Sequence, residues 1–273
     1  MPVPDLSRVR TVTSRQNSLV KDLRKAFSQA EPTADGYIAI EGIRIVEEAI
    51  RSGLRFRALF LSESGAAQGS RLVPQMADNV EILLLPDEVF TSSVATETPQ
   101  GVAALVKLKT SDLKDLLEDP SKELAVIGTV GIQDPGNLGT IIRSAEAFGI
   151  RGVLLGPKTV SHYNSKVVRA SAGSVFRQRI IKAPVFSEAI RLLKAYDFFV
   201  IGTSSHKGKP LDQADLAGRV ALLIGSEGAG LPPDVVAEVN EFITIPHSEK
   251  VESLNAGVAA SILLYEAARQ RRT

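Results

Sequence analysis

Leu124-Ala-Val-Ile-Gly-Thr-Val130 is a continuous apolar run. It leads into Asp134-Pro-Gly-Asn-Leu-Gly-Thr-Ile-Ile-Arg-Ser-Ala-Glu-Ala-Phe-Gly149. The run reads as a strand buried on both faces, and the segment after it as a helix entered through a Pro/Gly turn. The same alternation continues downstream. Strands are expected at 152–155, 198–203, 220–225 and 242–245, and helices at 138–148, 187–196, 232–239 and 253–270. Strands separated by helices predict an α/β fold with a mostly parallel sheet covered by helices.

Upstream lies a polar stretch, residues 108–122, with Pro120 near its end. It reads as a linker between residues 123–273 and a smaller α/β domain in residues 1–107. That domain shows a helix at 18–27, a strand at 36–40, a helix at 42–52, and strands at 56–61, 81–85 and 101–106.

The 273 residues are 44% hydrophobic and 23% charged, enough to bury a core in each part. Cys is absent, which excludes disulfides, thiolate metal sites and a cysteine nucleophile. The three His, 162, 206 and 247, are too dispersed for a metal box, so no metal is expected. With no apolar leader and no apolar run of about 18 residues, a soluble cytoplasmic protein is expected, without a membrane partner. The formal net charge is only +1, but no acidic residue falls between Glu146 and Glu188, where Lys166 and Arg169 lie. Six basic residues crowd the first 30, Arg15 and Lys21 among them, against Asp5 and Asp22. Two such windows point to a polyanion.

Three segments carry chemistry. In 134–149, Gly136 and Gly139 permit close backbone approach at a helix N-terminus, and Arg143 sits one turn in. In Val220-Ala-Leu-Leu-Ile-Gly-Ser-Glu-Gly-Ala-Gly-Leu-Pro-Pro233, a buried strand runs into a Gly-rich loop holding Glu227. Its glycines do not spell G-x-G-x-x-G, and no P-loop motif occurs, which disfavours a nucleotide-dependent α/β enzyme. The third runs from Ile243-Thr-Ile-Pro246 through Ser253-Leu-Asn255 to Glu266. Ser253 reads as the N-cap of a long helix, and Asn255 as part of its first turn. Ala256, Gly257, Ala259 and Ala260 make that helix thin enough for another to approach closely.

Taken in order, N-x-G-x-I-x-R, G-x-E-x-x-G-L and I-P…S-L-N resemble the SpoU family of S-adenosyl-L-methionine (AdoMet)-dependent RNA ribose 2′-O-methyltransferases, of the SPOUT class. The resemblance covers roughly 124–270 and includes Val168-Arg-Ala-Ser-Ala-Gly-Ser-Val175. The first part resembles the family's L30-like substrate-binding domain at Ser14-Arg-Gln-Asn-Ser-Leu-Val-Lys21, Ile40-Glu-Gly-Ile-Arg44 and Thr98-Pro-Gln-Gly101. His247 and Glu249 depart from the family's third motif.

The resemblance implies a trefoil knot with helices on both faces of the sheet, and a homodimer. It implies AdoMet held by backbone groups at Thr203, Gly225, Ile245 and Leu254. Arg143 becomes the group that activates or orients the 2′-hydroxyl. Asn137, Ser253 and Asn255 become groups that bind ribose or hold the loops, with Glu227 orienting Arg143 or a partner-subunit group. Arg15, Lys21, Arg44, Lys166 and Arg169 are expected on RNA phosphates. Ribosomal RNA of the large subunit is the expected substrate. Transfer RNA, or RNA binding without catalysis, remains open.

Overall fold

The computed structural model describes residues 8–248 and 250–271. Asp5 and Glu249, named above, lie outside them. The chain divides into two compact units: residues 1–109 with 161–176, and residues 110–160 with 177–273.

The first unit holds β1 (Val9–Thr11), α1 (Ser18–Gln29), β2 (Ile38–Glu41), α2 (Ile43–Arg51), β3 (Arg55–Ser62), α3 (Ala66–Gly69), β4 (Glu81–Leu85), α4 (Asp87–Thr91) and β5 (Val102–Lys107). Its sheet runs β1-β4-β3-β5-β2, with β1, β4 and β3 parallel and β5 antiparallel to both neighbours. α1 starts at Asn17, whose Oδ1 accepts from Leu19 N at 3.0 Å. That cap satisfies a donor the helix itself cannot. The inward face of α1, Leu19, Val20 and Leu23, packs into a core with Phe60, Leu83 and Phe90.

The second unit carries α5 (Leu113–Leu117), β6 (Leu124–Thr129), α6 (Pro135–Ala147), β7 (Gly152–Leu155), β8 (Ile180–Lys182), α8 (Phe186–Ala195), β9 (Phe199–Thr203), β10 (Lys209–Pro210), β11 (Arg219–Ile224), α9 (Pro233–Val236), β12 (Glu241–Thr244) and α10 (Ala256–Gln270). The intervening α7 (Ser165–Ala170) folds with the first unit. All neighbours in the order β10-β12-β9-β11-β6-β7-β8 are parallel. One face of this sheet, through Val126, Leu154, Val200 and Leu223, packs on Phe186, Ile190 and Leu193 of α8. Ile127, Val153, Ile201 and Leu222, of opposite parity, are buried as well. α6 and α10 pack against β7 and β11. Burial on both faces explains why these strands are unbroken apolar runs.

Four readings change. The 108–122 stretch is no loose tether from Thr110 on, because α5 buries Leu116 and Leu117 in the second core. Residues 161–176 pack with the first unit: Ser161 Oγ donates to Ala30 O at 2.7 Å, and a Cβ on Gly173 would lie 2.9 Å from Glu48 Cβ. The helix expected at 232–239 is shortened to the single turn α9. The long helix starts at Ala256 with Asn255 as N-cap, its Oδ1 accepting from Gly257 N at 3.0 Å and Val258 N at 3.2 Å. Ser253 is exposed, two residues before that cap.

Candidate functional site

In a parallel sheet every strand ends at the same edge, so the loops that follow gather there. β6, β11 and β12 deliver the three motif loops to that edge. Asp134 caps α6, its Oδ1 accepting from Asn137 N at 2.8 Å, with Pro135 at the first helical position. This fixes the backbone of Asn137, which is buried. Asn137 Nδ2 donates to Glu227 Oε1 at 2.8 Å, and the same oxygen lies 3.5 Å from Ala256 N. One carboxylate therefore reaches the starts of both α6 and α10.

The Glu227 loop is shaped by glycine. A Cβ on Gly225 would lie 2.1 Å from the Gly230 carbonyl carbon. Only a residue without Cβ lets the loop fold back, with Ser226 N donating to Gly230 O at 3.2 Å and Gly230 N to Ser226 O at 2.9 Å.

α6 and α10 pack closely against each other. A Cβ on Gly257 would already stand 3.1 Å from Thr140 Cβ. Ser261 Oγ donates to Gly257 O at 2.7 Å, so Ser144 is the donor in the 2.7 Å Ser144–Ser261 pair. Phe148 and Tyr265 pack edge to face with centroids 5.8 Å apart. Much of the small-residue face of the thin helix is thus used within the chain.

A shallow cleft of about 40 Å³ lies beside this cluster. Thr203, Ser204, Ile243, Ile245, His247 and Leu254 are among its lining residues. Thr203 Oγ1 donates to Leu223 O at 2.9 Å, tying β9 to β11. His247 Nδ1 lies 2.7 Å from Ile245 O. Apolar walls and uncharged polar edges suit an adenosine group, and no Lys or Arg lines the cleft to hold a polyphosphate. The residues present therefore fit AdoMet. Of the four expected cofactor contacts, Thr203, Ile245 and Leu254 line this cleft, while Gly225 directly follows β11, the strand next to β9. Ser204, Ser205 and His247 were not singled out as contacts. Their signal was position, since they follow the ends of β9 and β12.

Arg143 stands about two turns into α6, since the helix starts at Pro135. It is exposed, with no hydrogen-bond or ion-pair partner among the described residues, and the Glu227 carboxylate bonds Asn137 instead of the Arg143 of its own chain. The Ser253 hydroxyl likewise has no partner among the described residues.

All five expected RNA contacts fall in the first unit, including Lys166 and Arg169 on α7. Arg15, Lys21, Arg44 and Lys166 are exposed, and Arg169 is half-buried. Arg44 and Arg169 line one cleft. Among the described residues, no group of three or more His, Cys, Asp or Glu could hold a metal ion. No helix there is long and apolar enough to cross a membrane.

The SpoU rRNA Methylase family model matches residues 124–265, and the MRM3-like substrate binding domain matches residues 17–104. The chain is 31% identical over 261 residues to the 23S rRNA (guanosine(2553)-2′-O)-methyltransferase RlmP of Bacillus subtilis, covering 94% of this chain and 98% of that one. It is 29% identical over 241 residues to the 23S rRNA (guanosine-2′-O-)-methyltransferase RlmB of Escherichia coli, covering 85% and 98%. The AdoMet-bound rRNA methyltransferase from Sinorhizobium meliloti superposes with a TM-score of 0.82 at 30% identity, over 96% of this chain and 98% of that one. The SpoU methyltransferase AviRb from Streptomyces viridochromogenes, in complex with AdoMet, gives 0.82 at 25% identity, over 94% and 99%.

Proposed function

The chain belongs to the SpoU rRNA methylase family, and from that premise we propose that it transfers a methyl group from AdoMet to a ribose 2′-hydroxyl of large-subunit ribosomal RNA. The observation that carries this reading is the Asn137–Glu227–Ala256 convergence beside a cleft that no Lys, Arg, Asp or Glu lines. Bound AdoMet supplies an electrophilic methyl on a sulfonium.

The chain's own residues must hold the 2′-oxygen in line and stabilise charge as its proton leaves. Arg143 offers a planar fork of donors for the 2′-oxygen and a neighbouring phosphate. Its guanidinium stays charged, so it serves better as an orienting and charge-stabilising group than as a base. Asn137 has one N–H spent on Glu227, which locks its amide and leaves Oδ1 and the second N–H for the ribose. Asn255 Oδ1 is spent on the start of α10, which leaves its amide N–H groups and the Ser253 hydroxyl for the ribose or the loop.

The working unit in this proposal is a cytoplasmic homodimer with the family's trefoil knot. Two observations support the dimer: Val258 and Tyr265 on α10 are 48% and 54% exposed, and Arg143 has no partner among the described residues. Arg143 rises about 9 Å along α6 beyond Asn137, at 1.5 Å per residue, which suits a role at the neighbour's site. The first unit supplies RNA affinity through its exposed cations.

The test is incubation with methyl-labelled AdoMet and unmodified ribosomal RNA. A 2′-O-methyl group removes the nucleophile that cleaves the adjacent linkage in alkali, so the label is expected in an alkali-resistant dinucleotide. Label on a base, or no RNA acceptor despite AdoMet binding, overturns the reading.

A further inference from the structure

Four non-glycine residues among those described have a positive φ: Ala30, Lys158, Ala172 and Asp197. Ala30, Ala172 and Asp197 lie at or just past the ends of α1, α7 and α8, where a left-handed residue closes the last turn. Lys158, at φ 57°, closes no helix. It follows Pro157 in the turn after β7. Proline presets the first central residue of such a turn, and a positive φ at the second favours glycine. A long cation therefore stands where the backbone favours the smallest residue.

The turn is pinned to the loop that leads into α6. Gly156 N donates to Thr129 O at 2.7 Å, Gly131 N to Pro157 O at 3.0 Å, and Val160 N to Ile132 O at 2.8 Å. Thr159 Oγ1 donates to Thr129 O at 3.4 Å. A Cβ on Gly156 would stand 2.8 Å from Phe186 Cδ2, so the backbone there sits directly on the core. β6 and β7 are parallel neighbours, Thr129 in register with Leu155, and the loops after both leave the same edge of the sheet. The first loop runs on through Asp134 to Asn137, and the second presents Lys158. The Lys158 side chain is exposed, with no hydrogen-bond or ion-pair partner among the described residues. Neither the turn nor a contact among those residues accounts for a lysine at this position.

We propose that Lys158 contacts a backbone phosphate of the RNA beside the methyl-acceptor ribose and so helps to hold that ribose at Asn137, a proposal that rests on the RNA-methyltransferase reading above. The expected phosphate contacts Arg15, Lys21, Arg44, Lys166 and Arg169 all belong to the first unit, whereas Lys158 belongs to the second, with Asn137 and Glu227. Cations of the first unit supply affinity. A cation on the same rigid edge as the reacting groups also restrains the sugar next to it, which is where orientation counts. An ammonium serves a phosphate as a point charge, and the pinned turn fixes the point from which it reaches. Such a contact positions the backbone without reading a base.

The full-length wild type, Lys158→Gly, Lys158→Gln and Lys158→Arg would be compared by thermal melting, AdoMet calorimetry, methyl transfer to unmodified ribosomal RNA, and RNA anisotropy across a salt series. Lys158→Gly should melt near or above wild type, since the relieved turn offsets the freedom that glycine adds to the unfolded chain. Lys158→Gly and Lys158→Gln should each lower kcat/KM for RNA about tenfold and reduce the log–log salt slope of RNA binding by about one, with AdoMet affinity within about twofold of wild type. Lys158→Arg keeps the charge and should stay within about threefold of wild type throughout. An unchanged kcat/KM or an unchanged slope in Lys158→Gln overturns the proposal. So does an arginine variant as poor as the glutamine one, which would make side-chain fit and not charge the cause. A matching loss of AdoMet affinity would give the cation to the cofactor's carboxylate and overturns it too. The salt slope needs no turnover. If the wild type transfers no methyl group, the methyltransferase reading falls, while the slope still decides whether Lys158 meets a phosphate.

Discussion

Asn137 and Glu227 are 90 residues apart in sequence and joined by a 2.8 Å hydrogen bond from the Asn137 amide to Glu227 Oε1. Asn137 is 8% exposed, so the bond is largely shielded from water. Glu227→Ala leaves a buried N–H unsatisfied, at a cost of about 1–3 kcal/mol. Methyl transfer should fall by about two orders of magnitude as the amide loses its orientation. Glu227→Gln keeps an acceptor oxygen and should melt near wild type. Thermal melts and single-turnover transfer check both. An alanine variant as active as the glutamine one would remove Glu227 from the site.

Arg143→Ala should abolish transfer while AdoMet binding by calorimetry and the melting temperature stay near wild type, because the side chain has no partner among the described residues. Arg143→Lys should fail too, since a point charge does not replace a planar fork. Residual activity above about a tenth, a barrier change below about 1.4 kcal/mol, would remove Arg143 from the chemistry. Mixing Arg143→Ala with Glu227→Ala should restore part of the activity if each site borrows Arg143 from the neighbour. Light scattering should show a dimer at micromolar concentration.

Gly225→Ala drives a methyl into the Gly230 backbone and should cost about 1–3 kcal/mol or more. AdoMet affinity should fall with it, because the loop opens beside the cleft. Gly228→Ala, in the same loop, meets nothing within 4 Å and should be tolerated. Comparable damage from both variants would mean that general loop softening, rather than the Gly225 contact, sets the fold of the loop.

RNA affinity should fall steeply with salt as phosphate counterions are released. Lys21→Ala and Lys166→Ala should each reduce the log–log salt slope by about one. Fluorescence anisotropy across a salt series reads this directly. An unchanged slope would place these exposed lysines away from the RNA.

Asp119 accepts from Ser121 N at 3.0 Å and pairs with Arg151 at 3.1 Å. The Ser121 side chain and backbone, ahead of Arg151 and Arg179, hold its carboxyl below the ordinary carboxylate range. The folded state thus binds this proton less readily than the unfolded one. The stabilisation is full above the unfolded value, about 3.9, and is lost as pH falls through the lower folded value. Asp119→Asn should therefore be less stable than wild type at neutral pH, with the gap closing in acid. Urea titrations across that range give the comparison, and a gap that widens in acid would refute the assignment.

The second sheet was legible because strands buried on both faces leave continuous apolar runs, as in Leu124–Thr129 and Arg219–Ile224. β1 and β8, three residues each, carry too little pattern to see. The cap of α10 was misassigned because Ser253 and Asn255 are both cap-forming residues, and only the loop geometry decides between them. Membership of 161–176 in the first unit depends on pairs such as Gly173 with Glu48, which no local window contains. Thr203, Ile245 and Leu254, expected from the motifs, line one cleft. The cleft shared by Arg44 and Arg169 joins segments 125 residues apart, which no local window contains.

The Ser144–Ser261 contact between α6 and α10 spans 117 residues. At ribosomal speeds of about 5–20 residues per second, α6 is made roughly ten seconds before the helix that covers it. β6 likewise precedes β11, which pairs with it in the middle of the finished sheet. During synthesis the side of α6 that α10 covers and the edge of β6 that β11 takes therefore wait for partners not yet made. The second unit should gain protease resistance only after α10 has emerged. Arrested nascent chains that stop before Ala256 should be cut readily between β6 and β9.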